Sequence, residues 1–205
     1  MDDHLDRLYD AIGPAFGPGV AAEDWQRIES ELGVGLPADL KALTERYAPV
    51  RLHRSVVLSN PSTAVHRLDR HIRETVEAYR ACEFDEENFP DPDFPEPLDF
   101  GGPDGLIPVS GTAHGEEVFL HRETAGGPWS VVVYVGDDDE FYRYRMGFAE
   151  WLYRYLAGED MAGPNSAQSI PGPVRIEELL VPPGTAPTER LGPQRSHGDG
   201  GSSPN

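Results

Sequence analysis

Apolar residues fall along the chain either at helical spacing or in short continuous runs, and the switches between the two outline the elements. Leu5, Leu8, Tyr9, Ile12 and Phe16 stand three and four apart, predicting a short amphipathic helix whose far end Gly13-Pro14 weakens. After Gly17-Pro18-Gly19, Trp25, Ile28 and Leu32 share a second helical face, with Glu23 and Asp24 in the first turn and Gly33 as a left-handed stop. Leu36, Leu40, Leu43 and Tyr47 form the stripe of a third helix that opens at Pro37. Val56-Val57-Leu58 reads as a strand, and Val65, Leu68, Ile72, Val76 and Tyr79 mark a long helix after it.

From Gly105 the helical spacing gives way to short continuous apolar runs. Leu106-Ile107, Val118-Phe119-Leu120, Trp129 to Val135, and Phe141-Tyr142 with Tyr144 are strand candidates separated by short runs of Gly, Asp and Pro. Separators that short require antiparallel neighbours, because a parallel crossover takes about a dozen residues. Met146, Phe148, Trp151, Leu152, Tyr155 and Leu156 then return to helical spacing, up to Gly158. The fold class is α+β: a mainly antiparallel meander packed by N-terminal helices and a C-terminal helix. One domain is expected over 1–160. Residues 161–205, rich in Pro and Gly, read as a largely disordered tail in which only Val174 to Val181 has the makings of a docked strand or turn.

Charge narrows the range of partners. Seventeen Lys and Arg stand against 36 Asp and Glu, a net charge of −19, which repels nucleic acid and anionic membranes and favours a basic protein. The densest negative charge lies in two places. One is an acidic, Pro-rich stretch over 83–104, including Asp85, Glu86 and Glu87, which reads as an exposed loop; the other is a hairpin tip at Asp137, Asp138, Asp139 and Glu140. Arg67, Arg70, Arg73 and Arg80 form the one conspicuous basic surface, a solvated helix face expected to pair with the acidic stretch behind it. The lone Cys82 rules out an intramolecular disulfide and a Cys-based zinc site, and the N-terminus lacks the basic and apolar regions of a signal peptide; a cytoplasmic location is expected.

Motifs for chemistry are sparse. His114 beside Glu116 and Glu117 is the first place to look for acid–base work, but it sits in a predicted turn with no nucleophile in a motif. The Asp137–Glu140 cluster lacks the alternating ligands of an EF-hand, and His66 and His71, five apart, are expected on different helix faces rather than as a metal pair. No catalytic, cofactor or metal site is assigned.

The string Trp25-x-x-Ile28-Glu29-x-x-Leu32-Gly33-x-x-Leu36-Pro37-x-Asp39-x-x-x-Leu43-x-x-x-Tyr47, followed by Gly105-Leu106-Ile107-Pro108, Thr112-x-x-Gly115 and Phe119, resembles the SMI1/KNR4 family of the SUKH superfamily, from about Ala22 to Glu159. The resemblance implies helices on a largely antiparallel sheet and a non-enzymatic role. Bacterial members are typically immunity proteins that bind and neutralise polymorphic toxins, many of them nucleases; fungal members are regulatory scaffolds. It therefore implies a basic toxin domain as partner, with a regulatory adaptor as the alternative and a hydrolase built on His114 a distant third. The acidic stretch and the tail depart from the family core.

Overall fold

The computed structural model describes residues 3–84, 88, 89, 91, 99–167, 172–182 and 184–194. Among these, the chain runs α1 (Asp3–Ile12), α2 (Ala22–Leu32), α3 (Ala38–Tyr47), β1 (Val50–Leu52), β2 (Val56–Leu58), α4 (Leu68–Arg80), β3 (Ile107–Gly111), β4 (Glu117–His121), β5 (Ser130–Val135), β6 (Glu140–Tyr144), α5 (Phe148–Ala157), β7 (Arg175–Glu178) and β8 (Thr188–Leu191). The strands form one antiparallel sheet ordered β6-β5-β4-β3-β2-β1-β7-β8.

Strand alternation sends side chains to two separate cores. Val118 and Leu120 join Val131 and Val133 in the main core with Leu8, Ile28, Leu43 and Trp151 from the helices, while the intervening Phe119 and Val132 join Phe100, Leu106 and Phe141 on the opposite face. Because both faces are covered there, the run Val131-Val132-Val133 is buried without interruption.

The motif residues of the helical pair each have a structural task. Gly33 caps α2 in a left-handed conformation (φ 69°). Glu29 Oε1 accepts the Leu36 N–H at 2.9 Å and the Lys41 ammonium at 2.8 Å, which ties down the corner between α2 and α3. Trp25 is buried, its indole N–H donating to Glu45 at 2.9 Å. Asp39 works at a distance: Oδ2 accepts the Ala149 N–H at 2.8 Å and so caps α5, whose own N-cap Gly147 offers no side chain.

Three expectations need correction. The long helix starts at Leu68, not Val65: His66 takes a left-handed conformation (φ 50°), and Val65 is exposed. Strand β1 was not foreseen; it is three residues long with Arg51 in the middle, and its turn uses positive φ at His53 and Arg54 rather than at a glycine. Packing also continues past residue 160. Met161 and Ala162 are buried, the Trp151 indole donates to the Met161 carbonyl at 2.9 Å, and β7 pairs with β1 with Val174 and Ile176 fully buried. The segment singled out at 174–181 is thus a docked strand, and β8 pairs with it although Thr188-Glu189-Arg190-Leu191 carries no apolar alternation. Residues 195–205 of the expected tail lie outside the described residues.

Candidate partner-binding surface

The β5–β6 hairpin closes through Gly136 and three aspartates. Val135 pairs with Glu140, the Asp138 N–H donates to the Val135 carbonyl at 3.2 Å, and Asp139 takes a left-handed φ of 56°, which Asp tolerates better than most residues. Asp137, Asp138 and Asp139 are exposed at the end of the sheet. Two phenols hold the tip from below: the Tyr134 hydroxyl donates to Asp139 Oδ1 at 2.7 Å, and the Tyr142 hydroxyl donates to Glu140 Oε2. Burial, then the hydrogen-bonded Asp139 carboxylate, pushes Tyr134 up to about 12, and burial with Glu140 raises Tyr142 likewise. Both phenols therefore stay protonated donors at neutral pH. Asp137 has no partner among the described residues.

The acidic stretch reaches this same end. Asn88 Nδ2 donates to the Asp139 carbonyl at 2.6 Å, and Asp91 meets Arg143 at 2.9 Å and Arg145 at 3.4 Å. Asn88 and Asp91, about fifty residues earlier in the chain, are thereby neighbours of the β5–β6 hairpin. The acidic charge is not all free, however. The Arg143 side chain is fully buried between Asp91 and Glu123, and Asp99 is held by Arg80 at 3.2 Å. Asp85, Glu86 and Glu87 lie outside the described residues.

The expectation of a wholly exposed loop over 83–104 is corrected by its phenylalanines. Phe100 is buried, and Phe84 and Phe89 are half-buried against the second core: Phe89 stacks on Phe141 at 4.9 Å, and Phe84 meets the same ring edge-on at 5.1 Å. Tyr79, from the end of α4, touches Phe100, Phe119 and Tyr134 at 5.1–5.3 Å. Phenylalanines spaced through an acidic, Pro-rich stretch were the available signal, because a solvated loop has no use for them.

The basic helix face also behaves differently from expectation. Arg67 pairs with Asp69 and Arg70 with Glu74; among the described residues only Arg80 of the four reaches the acidic stretch, and Arg73 has no ion pair. The pairs are local because Asp69 and Glu74 lie within one turn.

His114, Glu116 and Glu117 are not brought together for catalysis. His114 is exposed in the β3–β4 turn, its backbone N–H donating to Thr112 Oγ1 at 3.2 Å. Glu117 turns to the other side and meets His71 Nε2 at 2.8 Å, burial pushing its carboxyl above the usual range while His71 opposes the shift. His66 and His71, expected on separate faces, line one cleft because His66 precedes the helix. Among the described residues no three His, Cys, Asp or Glu side chains converge as a metal site, and no helix is long and apolar enough to cross a membrane.

The family model for SMI1/KNR4 (SUKH-1) matches residues 19–154. No curated protein matches the chain. The match covers more than half of the sequence, from the turn before α2 into α5, and the chain belongs to the SMI1/KNR4 (SUKH-1) family.

Proposed function

We propose that this chain is a non-enzymatic protein-binding module of the immunity type, which neutralises a basic, nuclease-like toxin domain by covering its substrate groove with the acidic end of the sheet. Family membership fits a protein-binding role. The observation that supports the surface assignment is the Asn88–Asp139 contact, which sets one residue of the acidic stretch against the Asp137–Glu140 tip. A nuclease presents a basic groove to its phosphates, so an acidic patch on a chain of net charge −19 is complementary to it both at long range and in contact. Neutralisation is then occlusion, and it needs neither a cofactor nor a metal. Such a role belongs in the cytoplasm.

The test is a titration of toxin activity. The toxin to assay is one sought among neighbouring reading frames as a secreted protein with a nuclease-like C-terminus. Loss of activity complete at one equivalent of this chain is the expected result. Toxin activity unchanged at stoichiometric excess removes the immunity reading.

A further inference from the structure

On the second face of the sheet, a cleft of about 460 Å³ opens between the start of α4 and strands β1–β3. Its lining includes Arg51, His66, Arg67, Arg70 and His71, and the one carboxylate among the lining residues is Glu74. Arg51 stands against Glu177, Arg67 against Asp69, Arg70 against Glu74 and His71 against Glu117, so what the cleft offers is spare hydrogen-bond donors rather than net positive charge.

Hydrogen-bond accounting shows what the cleft lacks. Arg67 spends Nε and Nη2 on Asp69, at 2.9 and 2.7 Å, and keeps its second terminal nitrogen. Arg70 gives only Nε, to Glu74 at 2.7 Å. Arg51 gives Nη1 to Glu177 at 2.9 Å, and its buried Nε–H finds no acceptor among the described residues. Guanidinium donors converge here in excess of acceptors, and an orphaned buried donor is costly until something accepts from it. Burial and the Arg51 charge hold His66 below its ordinary value, so at neutral pH it adds a neutral imidazole donor rather than a further charge.

We propose that this cleft binds a small ligand carrying a phosphate dianion. Three guanidiniums, one from β1 and two from the start of α4, suit an anion with several acceptor oxygens better than a two-oxygen carboxylate. The volume falls in the range of about 300–1,000 Å³ usual for small-molecule sites, and Val57 and Ala113 offer apolar contact to an organic portion. Polyanions such as nucleic acid are opposed by the whole chain's field, whereas a small ion inside the cleft feels its nearest charges first, because screening in physiological salt acts over about 8 Å. The inference is independent of the toxin-binding reading.

The experiment is an amide-resolved NMR titration of the full chain with inorganic phosphate and, separately, with ribose 5-phosphate, at constant ionic strength in chloride. Wild type is compared with Arg70→Glu, an exposed position whose one ion pair among the described residues is Glu74, and with Arg7→Glu on α1 as the remote control. Saturable shifts confined to residues 57–59, 66–71 and 111–113 are expected, at least tenfold weaker in Arg70→Glu and unchanged in Arg7→Glu, with both variants otherwise retaining the wild-type spectrum. Tighter binding of the ester than of inorganic phosphate identifies an organic phosphate as the ligand; equal binding identifies the free anion. Shifts that do not saturate, that spread along the chain, or that persist undiminished in Arg70→Glu overturn the proposal.

Discussion

Ile176 is the sharpest probe of where the folded unit ends. The composition of 161–205 suggests that this region is dispensable, yet Ile176 is fully buried opposite Leu52, in the strand that pairs with β1. Ile176→Ala removes three carbons, worth about 0.8 kcal/mol each in transfer, so about 2.4 kcal/mol before any cavity is counted. The sheet cannot collapse into that space without moving β1, and measured truncations of this kind cost about 2–5 kcal/mol. A loss of about 3 kcal/mol lowers the Tm of a chain of this size by roughly 6–12 °C. Leu191→Ala, on the exposed edge of the same hairpin (60% exposed), is the matched control and should stay within about 0.5 kcal/mol of wild type. Urea unfolding of the three proteins, followed by tryptophan fluorescence, reads the difference, and a chain ended at residue 160 should be destabilised further than Ile176→Ala. Equal midpoints for Ile176→Ala and Leu191→Ala would refute the docking of β7, and with it the extension of the domain past residue 160.

Two more outcomes follow from named contacts. Asp39→Ala removes the carboxylate that caps α5, and should cost about 0.5–2 kcal/mol while raising hydrogen exchange in the first turn of α5 more than in α3 itself; equal exchange in both helices would contradict the cap. Asp69 is buried between Arg67 and Arg27, and hydrogen bonding, first from Arg67, holds its carboxyl at about 2 against an ordinary 3.8. Since the folded value lies below the unfolded one, the stabilisation is fully present above about pH 4 and is lost as pH falls toward 2; Asp69→Asn should therefore cost about 2 kcal/mol at pH 7, and the gap from wild type should close over that acid window in urea unfolding. A gap independent of pH would assign the loss to packing instead.

Periodicity in the sequence was enough to reveal most of the fold. Trp25, Ile28, Leu32 and Leu43 stand at helical spacing and are core residues, and the four strands from β3 to β6 appear in the expected order. What escaped notice depends on contacts remote in sequence. Strand β1 has too few residues to show a period, and its partner β7 lies more than a hundred residues away. Asp39 reads as a first-turn acid of α3, where Oδ1 does accept the Leu40 N–H at 2.9 Å, but its Oδ2 reaches Ala149 at the start of α5. At the candidate surface, the acidity of Asp137 to Glu140 was plain, whereas the neutralisation of Asp91 by Arg143 was not, because no local pattern announces a buried arginine on β6. The family string is legible for a physical reason: Glu29, Gly33 and Asp39 each satisfy backbone groups that a generic apolar stripe would leave open, and Pro37 fixes the extended entry into α3.

The central claim, that the acidic end of the sheet docks a basic partner, is tested most directly by association kinetics. Asp137, Asp138 and Asp139 are exposed, so their joint replacement by Asn removes three charges without opening the core. Charge at the rim of an interface chiefly accelerates encounter, and desolvated anchors set the lifetime. Stopped-flow association of the cognate toxin domain with wild type and with the triple variant, at several ionic strengths, should show slower association and a flatter salt dependence in the variant, with a smaller change in the dissociation rate. Identical rates and identical salt slopes would place the tip outside the interface and contradict the account.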